Sequence, residues 1–168
     1  AGVRMQDGTL HELDVLVLAT GFRADRFIRP ASVLGRNGKT LDDAWSVRPT
    51  AFNAVTLPDF PNFFMLNGPT GPVGNFSLID IAEAQWKYVD QLIERLRAGN
   101  ARAVEPTHEA MADYEEKRIT AAKKTIFGSG CTSWYLDDTG VPASWPWSYQ
   151  AFVDAMAKPN FEDYRFAA

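Results

Sequence analysis

The segment Leu66-Asn67-Gly68-Pro69-Thr70-Gly71-Pro72-Val73-Gly74-Asn75-Phe76-Ser77 places three glycines and two prolines just ahead of the strongest helical pattern in the chain. Glycines let a ligand approach the backbone, while prolines hold a loop rigid. The first N–H groups of a helix have no partner within it and carry a partial positive charge. Such a terminus suits a phosphate, or another electron-rich group such as the carbonyl edge of a flavin ring. An ordinary tight strand-to-helix connection has the same spacing, and spacing alone does not choose between the two. The Gly-Lys-Ser/Thr ending of a Walker loop is missing, and the glycines do not follow the Gly-x-Gly-x-x-Gly dinucleotide fingerprint.

A second candidate is Cys131-Thr132-Ser133-Trp134-Tyr135, whose rings suit stacking on a flat ligand and whose hydroxyls suit a sugar or phosphate. Core filling by Trp134, Tyr135, Trp145 and Trp147 is the simpler explanation. Other reactive groups are sparse. His11 and His108 form no metal-spaced pair and read as surface residues. Cys131 has no histidine near it in sequence, and Ser129, Ser133 and Ser144 lie in no nucleophile elbow. Asp42-Asp43 and Asp137-Asp138 read as turn pairs. Neither a metal site nor a self-contained set of catalytic residues emerges.

The elements that must position the glycine-rich loop are legible around it. Val3 to Met5, the turn at Asp7-Gly8 and the apolar run Leu13 to Leu18 predict a strand, a hairpin turn and a strand covered on both faces. Asn37-Gly38 predicts another turn, and Asn62-Phe63-Phe64-Met65-Leu66 a second buried strand leading into the loop. From Ser77 to Leu96 the residues Leu78, Ile81, Ala82, Trp86, Val89, Leu92, Ile93 and Leu96 recur at helical spacing, with Ser77 or Asn75 as the N-cap. A second helix is expected from Thr107 to about Ile126, with Met111, Tyr114, Ile119 and Ala122 on one side. Its Glu115, Glu116, Lys117, Arg118, Lys123 and Lys124 read as a solvated face. A short helix is expected from Ser148 to Ala157.

Composition bounds the rest. The 168 residues are 46% hydrophobic and 23% charged, as in a folded domain, with 17 basic and 21 acidic residues giving a net charge of −4. That balance argues against a nucleic-acid partner, the single Cys131 excludes an internal disulfide, and no apolar run is long enough for a membrane span. A soluble cytoplasmic protein is the expectation. A chain that opens directly into an apolar strand is further expected to be a piece of something longer.

Four stretches, taken in order, carry a resemblance to a known family. They are Asp14-Val15-Leu16-Val17-Leu18-Ala19-Thr20-Gly21-Phe22, Phe60-Pro61-Asn62-Phe63-Phe64-Met65, Gly68-Pro69-Thr70-Gly71-Pro72-Val73-Gly74-Asn75, and Ser133-Trp134-Tyr135 followed by Trp145-Pro146. Together they resemble the C-terminal portion of flavin-dependent Baeyer–Villiger monooxygenases, in particular the hydroxyacetophenone-type branch of the flavin-containing monooxygenase superfamily.

The resemblance implies an α/β fold, here a partial domain with a few short strands and two long helices, from a flavoprotein with two dinucleotide-binding domains. Residues 1–22 would end the NADPH-binding domain and form the crossover strand. Residues 23–100 would return to the FAD-binding domain, and 101–168 would add a helix and a Trp-rich segment. FAD would lie against Gly68, Pro69, Val73, Gly74, Asn75 and Phe76, whereas Thr20, Gly21 and Trp134 would face NADP. The implied reaction uses NADPH and O2 to insert oxygen into a ketone or aldehyde. Phe76, Trp145 and Trp147 would lie at the edge of the substrate pocket.

Both Gly-x-Gly-x-x-Gly fingerprints and the family's Phe-x-Gly-x-x-x-His-x-x-x-Trp signature are missing from these residues. The chain alone is therefore expected neither to hold FAD tightly nor to oxygenate, and its bare apolar strands are expected to drive self-association. The alternative reading is a stand-alone, non-catalytic binding or interaction module built on a flavoprotein fold.

Overall fold

The computed structural model describes residues 1–20, 26–74, 76–99, 101–130, 135–137 and 139–168. Strands β1 (Gly2–Arg4) and β2 (Leu10–Glu12) pair antiparallel, with Val3 opposite His11. The turn between them follows from Gly8, at φ +89°, and from the Asp7 carboxylate, which accepts the Thr9 N–H at 2.9 Å. His11 is exposed on β2.

The Asp14–Ala19 run corrects the expectation of a covered strand. It has no regular structure, and Val15, Val17 and Leu18 are each more than three-quarters exposed. A strand needs a partner along its edge, and among the described residues none runs beside this one.

Two hydrophobic clusters follow. The smaller gathers Leu41 and Trp45 of α1 (Leu41–Ala44) and its C-cap with Ala51, Leu57, Phe60 and Met65. Helix α1 starts because Thr40 and Asp43 form a capping box. The Asn37-Gly38 turn forms as expected, both residues at positive φ and Leu34 bridging to Thr40. Asn62–Leu66 is not a strand. Positive φ at Asn62 and Asn67 bends the chain at both ends, and the stretch is held instead by Met65 N–H donating to Val55 O and Asn62 N–H donating to Val104 O.

The larger cluster forms around α2 (Leu78–Ala98), α3 (His108–Ala122) and α4 (Tyr149–Ala157). Strands β3 (Ala103–Pro106) and β4 (Tyr164–Ala167) pair antiparallel beside them. Phe52 and Val55 share this interior with Val104, Tyr114, Phe152 and Tyr164, so residues from before and after position 100 contribute to one core. The inward stripe of α2 is Ile81, Gln85, Tyr88, Val89 and Leu92, whereas Leu78 and Trp86, expected on it, are half exposed. Steps of four and three from Ile81 lead to Gln85, Tyr88 and Leu92, and a purely apolar count passes over the first of these. On α3, Arg118 is fully buried rather than solvated. Its guanidinium makes two bonds to Glu115, at 2.6 and 3.0 Å, and donates to Pro142 O at 2.8 Å.

Charge pairs tie the smaller cluster to the larger. Glu105 of β3, buried, takes Arg36 at 2.7 Å and Arg165 on the same oxygen. Asp59 accepts from Lys39 at 2.8 Å and pairs with His108, the exposed first residue of α3, at 3.1 Å. The Lys39 hydrogen bond, helped by His108 against a small burial cost, holds the Asp59 carboxyl below the usual aspartate value. The stability this adds is complete above the unfolded value of about 4 and is lost as pH falls through the lower folded value. Urea unfolding should accordingly show Asp59→Asn less stable than wild type at neutral pH, with the gap closing below about pH 4. A gap that persists unchanged into acid would contradict this.

Candidate functional site

The glycine-rich loop enters from Asn67 and is fixed by one side chain. Gln85, with no exposed surface, accepts the Asn67 N–H at 2.6 Å through Oε1 and donates to Ala54 O at 3.2 Å through Nε2. Asn67, at φ +52°, completes the link by donating from Nδ2 to Leu78 O in the first turn of α2 at 3.2 Å. Loop, turn and helix are thus joined through one buried amide. Gly68 is required for the same packing: a Cβ there would stand 2.3 Å from Ala54 O. Gly71 O then accepts the Trp145 N–H at 3.0 Å, seating the loop on the larger core.

Burial changes abruptly along the loop. Gly68, Pro69, Thr70, Gly71 and Pro72 are buried, whereas Val73, Gly74, Ser77, Leu78, Ile79 and Asp80 are exposed. Gly68 and Gly71 pack against Ala54, and the exposed rim begins at Val73. Gly74 holds φ +87°, and a Cβ on it would come within 3.1 Å of the Tyr135 hydroxyl. Ser77 caps α2 by accepting the Asp80 N–H at 3.3 Å, and Ser77 to Asp80 are exposed, so the terminus faces outward among the described residues. Phe76 stacks on Tyr149 at 5.2 Å and belongs to the larger core, as do Trp145 and Trp147, which pack edge to face at 4.6 Å. None of the three lines the cavity described next.

A cavity of about 300 Å³ lies beside the loop, lined by Arg48, Pro49, Asn67, Gly68, Thr70 to Val73, Leu78 and the Tyr135–Asp137 stretch, with Phe27 and Ala143. Arg48 donates from Nη1 to Asp137 Oδ2 at 2.9 Å, and its Nη2 lies 3.7 Å from Glu115. Burial by itself would raise the Asp137 carboxyl, but bonds from Thr139, the Val141 N–H and Arg48 together hold it below the ordinary value. Tyr114 is buried nearby, and burial pushes its hydroxyl far up, so it stays protonated.

Of the other expected residues, Thr20 is exposed in the irregular segment, with no hydrogen bond to the loop among the described residues. Gly21, Asn75 and Trp134 lie outside the described residues. Among the described residues no metal-binding cluster occurs, and no helix is long and apolar enough to cross a membrane. Sequence reasoning passed over Gln85 and Arg48, and read Asp137 as a turn residue without its Arg48 partner. A polar residue four positions after Ile81, on the inward stripe, was the available signal for the first.

No family model matches the sequence. An uncharacterized monooxygenase of Mycobacterium tuberculosis is 42% identical over 170 residues, covering 99% of this chain and 34% of the relative. A Baeyer–Villiger monooxygenase of Streptomyces coelicolor is 31% identical over 162 residues, 95% of this chain and 31% of its own length. The crystal structure of cyclohexanone monooxygenase from Rhodococcus sp. Phi1 bound to NADP+ matches at a TM-score of 0.83 and 32% identity, over 99% of this chain and 33% of that one. By sequence and fold, the chain is homologous to a third of a flavin-dependent monooxygenase. Other relatives are named FAD-binding monooxygenases. The chain spans about a third of the length of the relatives it matches.

Replacing Gln85 by leucine would strand a buried N–H at Asn67 and a buried carbonyl at Ala54. Gln85→Leu should therefore cost about 2 to 3 kcal/mol in urea unfolding, and Gly68→Ala about 2 kcal/mol through overpacking against Ala54. Wild-type midpoints for both variants would refute the linkage.

Proposed function

We propose that this chain supplies the loop and helix terminus that meet the flavin in an FAD- and NADPH-dependent monooxygenase of the Baeyer–Villiger type. The observation that carries the reading is the outward-facing start of α2, held on a buried glycine–proline loop, in a chain matching monooxygenases along almost its whole length.

The residues fit such a group. Val73 and Gly74 present exposed backbone next to the first turn of α2, where Leu78 and Ile79 N–H groups have no acceptor one turn earlier within the helix. Glycine at position 74 keeps that rim free of a side chain, and the helix dipole favours electron density placed there. FAD would supply the transfer of reducing equivalents from NADPH to O2 and of one oxygen atom to the substrate.

The chain's own part is positional. Backbone near Val73, Gly74, Asn75 and Phe76 binds the ring edge, Gly68 and Pro69 shape the approach, and the cavity beside them takes the ketone or aldehyde and excludes water. Trp134, Thr20 and Gly21 are assigned to the NADP side by family resemblance. Catalysis by a side chain of this segment is not part of the reading.

The complete enzyme carrying this chain is expected to be yellow, to retain FAD through gel filtration and to convert a ketone to an ester while oxidising NADPH. A colourless protein that oxidises no NADPH would overturn the reading and favour a non-catalytic module. The 168-residue chain by itself should lose added FAD on gel filtration, and a stable one-to-one yellow complex would contradict that part.

A further inference from the structure

Phe27 and three longer pieces of chain wall the cavity, and one ion pair crosses between two of those pieces. The first wall is Arg48-Pro49, the second is Asn67, Gly68 and Thr70 to Val73 with Leu78, and the third is Tyr135 to Asp137 with Ala143, drawn together by the Leu136–Pro142 bridge. Asp137 is the centre of that third wall. Its Oδ1 accepts from Thr139 N–H at 2.9 Å, Thr139 Oγ1 at 2.6 Å and Val141 N–H at 3.0 Å, which shapes the turn. Its Oδ2 is left for Arg48, at 2.9 Å.

The pair is well sheltered, with Asp137 only 5% and Arg48 19% exposed, so water screens it weakly. Behind it the charges alternate. Glu115 Oε2 stands 3.7 Å from Arg48 Nη2 and also binds Arg118, which holds the far side of the same hairpin by donating to Pro142 O at 2.8 Å. Two carboxylates thus balance two guanidinium groups. Arg48 is not left as a free cation for an anionic ligand, and its effect on a ligand is one of shape.

We infer that Arg48 is a specificity-determining residue of this cavity: by clamping the Tyr135–Ala143 wall through Asp137 it limits the size of substrate that the cavity admits. The inference rests on the monooxygenase reading above and adds to it the residue that sets the substrate's upper size. Arg48→Ala both removes the longest side chain in the first wall and releases the third, so the two effects act in the same direction. Asp137→Asn keeps most of the turn's geometry and weakens the charge pair, giving a smaller change of the same sign.

The test uses the complete, FAD-loaded enzyme, with cyclohexanone as the small ketone and 4-phenylcyclohexanone as the large one. Arg48→Ala should shift the ratio of kcat/KM, large over small, by about tenfold or more towards the large ketone, chiefly through KM, within the range that pocket size controls. Asp137→Asn should shift it in the same direction, and Arg48→Lys, which keeps the charge, should stay near wild type. Hydrogen exchange on the ligand-free protein gives a second readout: the Thr139, Gly140, Val141 and Ala143 amides, all hydrogen-bonded, should exchange roughly tenfold faster in Arg48→Ala. An unmoved ratio, an equal fall for both ketones, or unchanged exchange would overturn the inference while leaving the monooxygenase reading intact. Absence of ketone turnover in the wild-type enzyme would overturn both. If Arg48→Ala does not fold, Asp137→Asn and Arg48→Gln decide the same question.

Discussion

The bridge from Ala54 through the Gln85 amide to Asn67 is the constraint on which the rest of the site depends. A glycine–proline loop has little side-chain surface with which to hold itself in place. Its position is therefore borrowed from a long helix whose own position is fixed by Ile81, Tyr88, Val89 and Leu92 in the larger core. A buried amide performs this task better than an apolar side chain, because it satisfies one donor and one acceptor that would otherwise be stranded. The helix that begins at the exposed rim is thus the same element that fixes the start of the loop leading to it.

A second layer of order comes from charge. Glu105 with Arg36 and Arg165, Asp59 with Lys39 and His108, and the alternating series Asp137, Arg48, Glu115 and Arg118 each connect segments distant in sequence. The first two sets join the smaller cluster to β3, β4 and α3, and the third braces the cavity. None has the arrangement of an acid–base pair poised for chemistry, since each carboxylate is already engaged by a cation.

How much of this could be read in advance varied with the physics. Helices α2, α3 and α4 were legible within a few residues, because Ser77, Thr107 and Ser148 are N-caps and the apolar spacing is helical. The glycine-rich loop stood out for its composition. The Asp14–Ala19 and Asn62–Leu66 strands failed, because an apolar run reports only a wish for cover, while a strand also needs an edge to pair with. Strands β3 and β4 escaped notice because each has four residues and mixed polarity. Arg118 was misjudged as polar surface and Gln85 went unnoticed, since single-residue polarity says nothing about a partner reached across the fold. The family likeness was visible in four short motifs, whereas the Arg48–Asp137 pair joins residues 89 positions apart and needed coordinates.

The most direct test is a crystal structure of the complete enzyme with oxidised FAD bound. The account requires the carbonyl-bearing edge of the flavin to lie against the backbone of Val73 to Phe76 and the first turn of α2, with the Gln85 bridge unbroken. A ring bound elsewhere, or a rim covered by protein side chains with no cofactor contact, would contradict it.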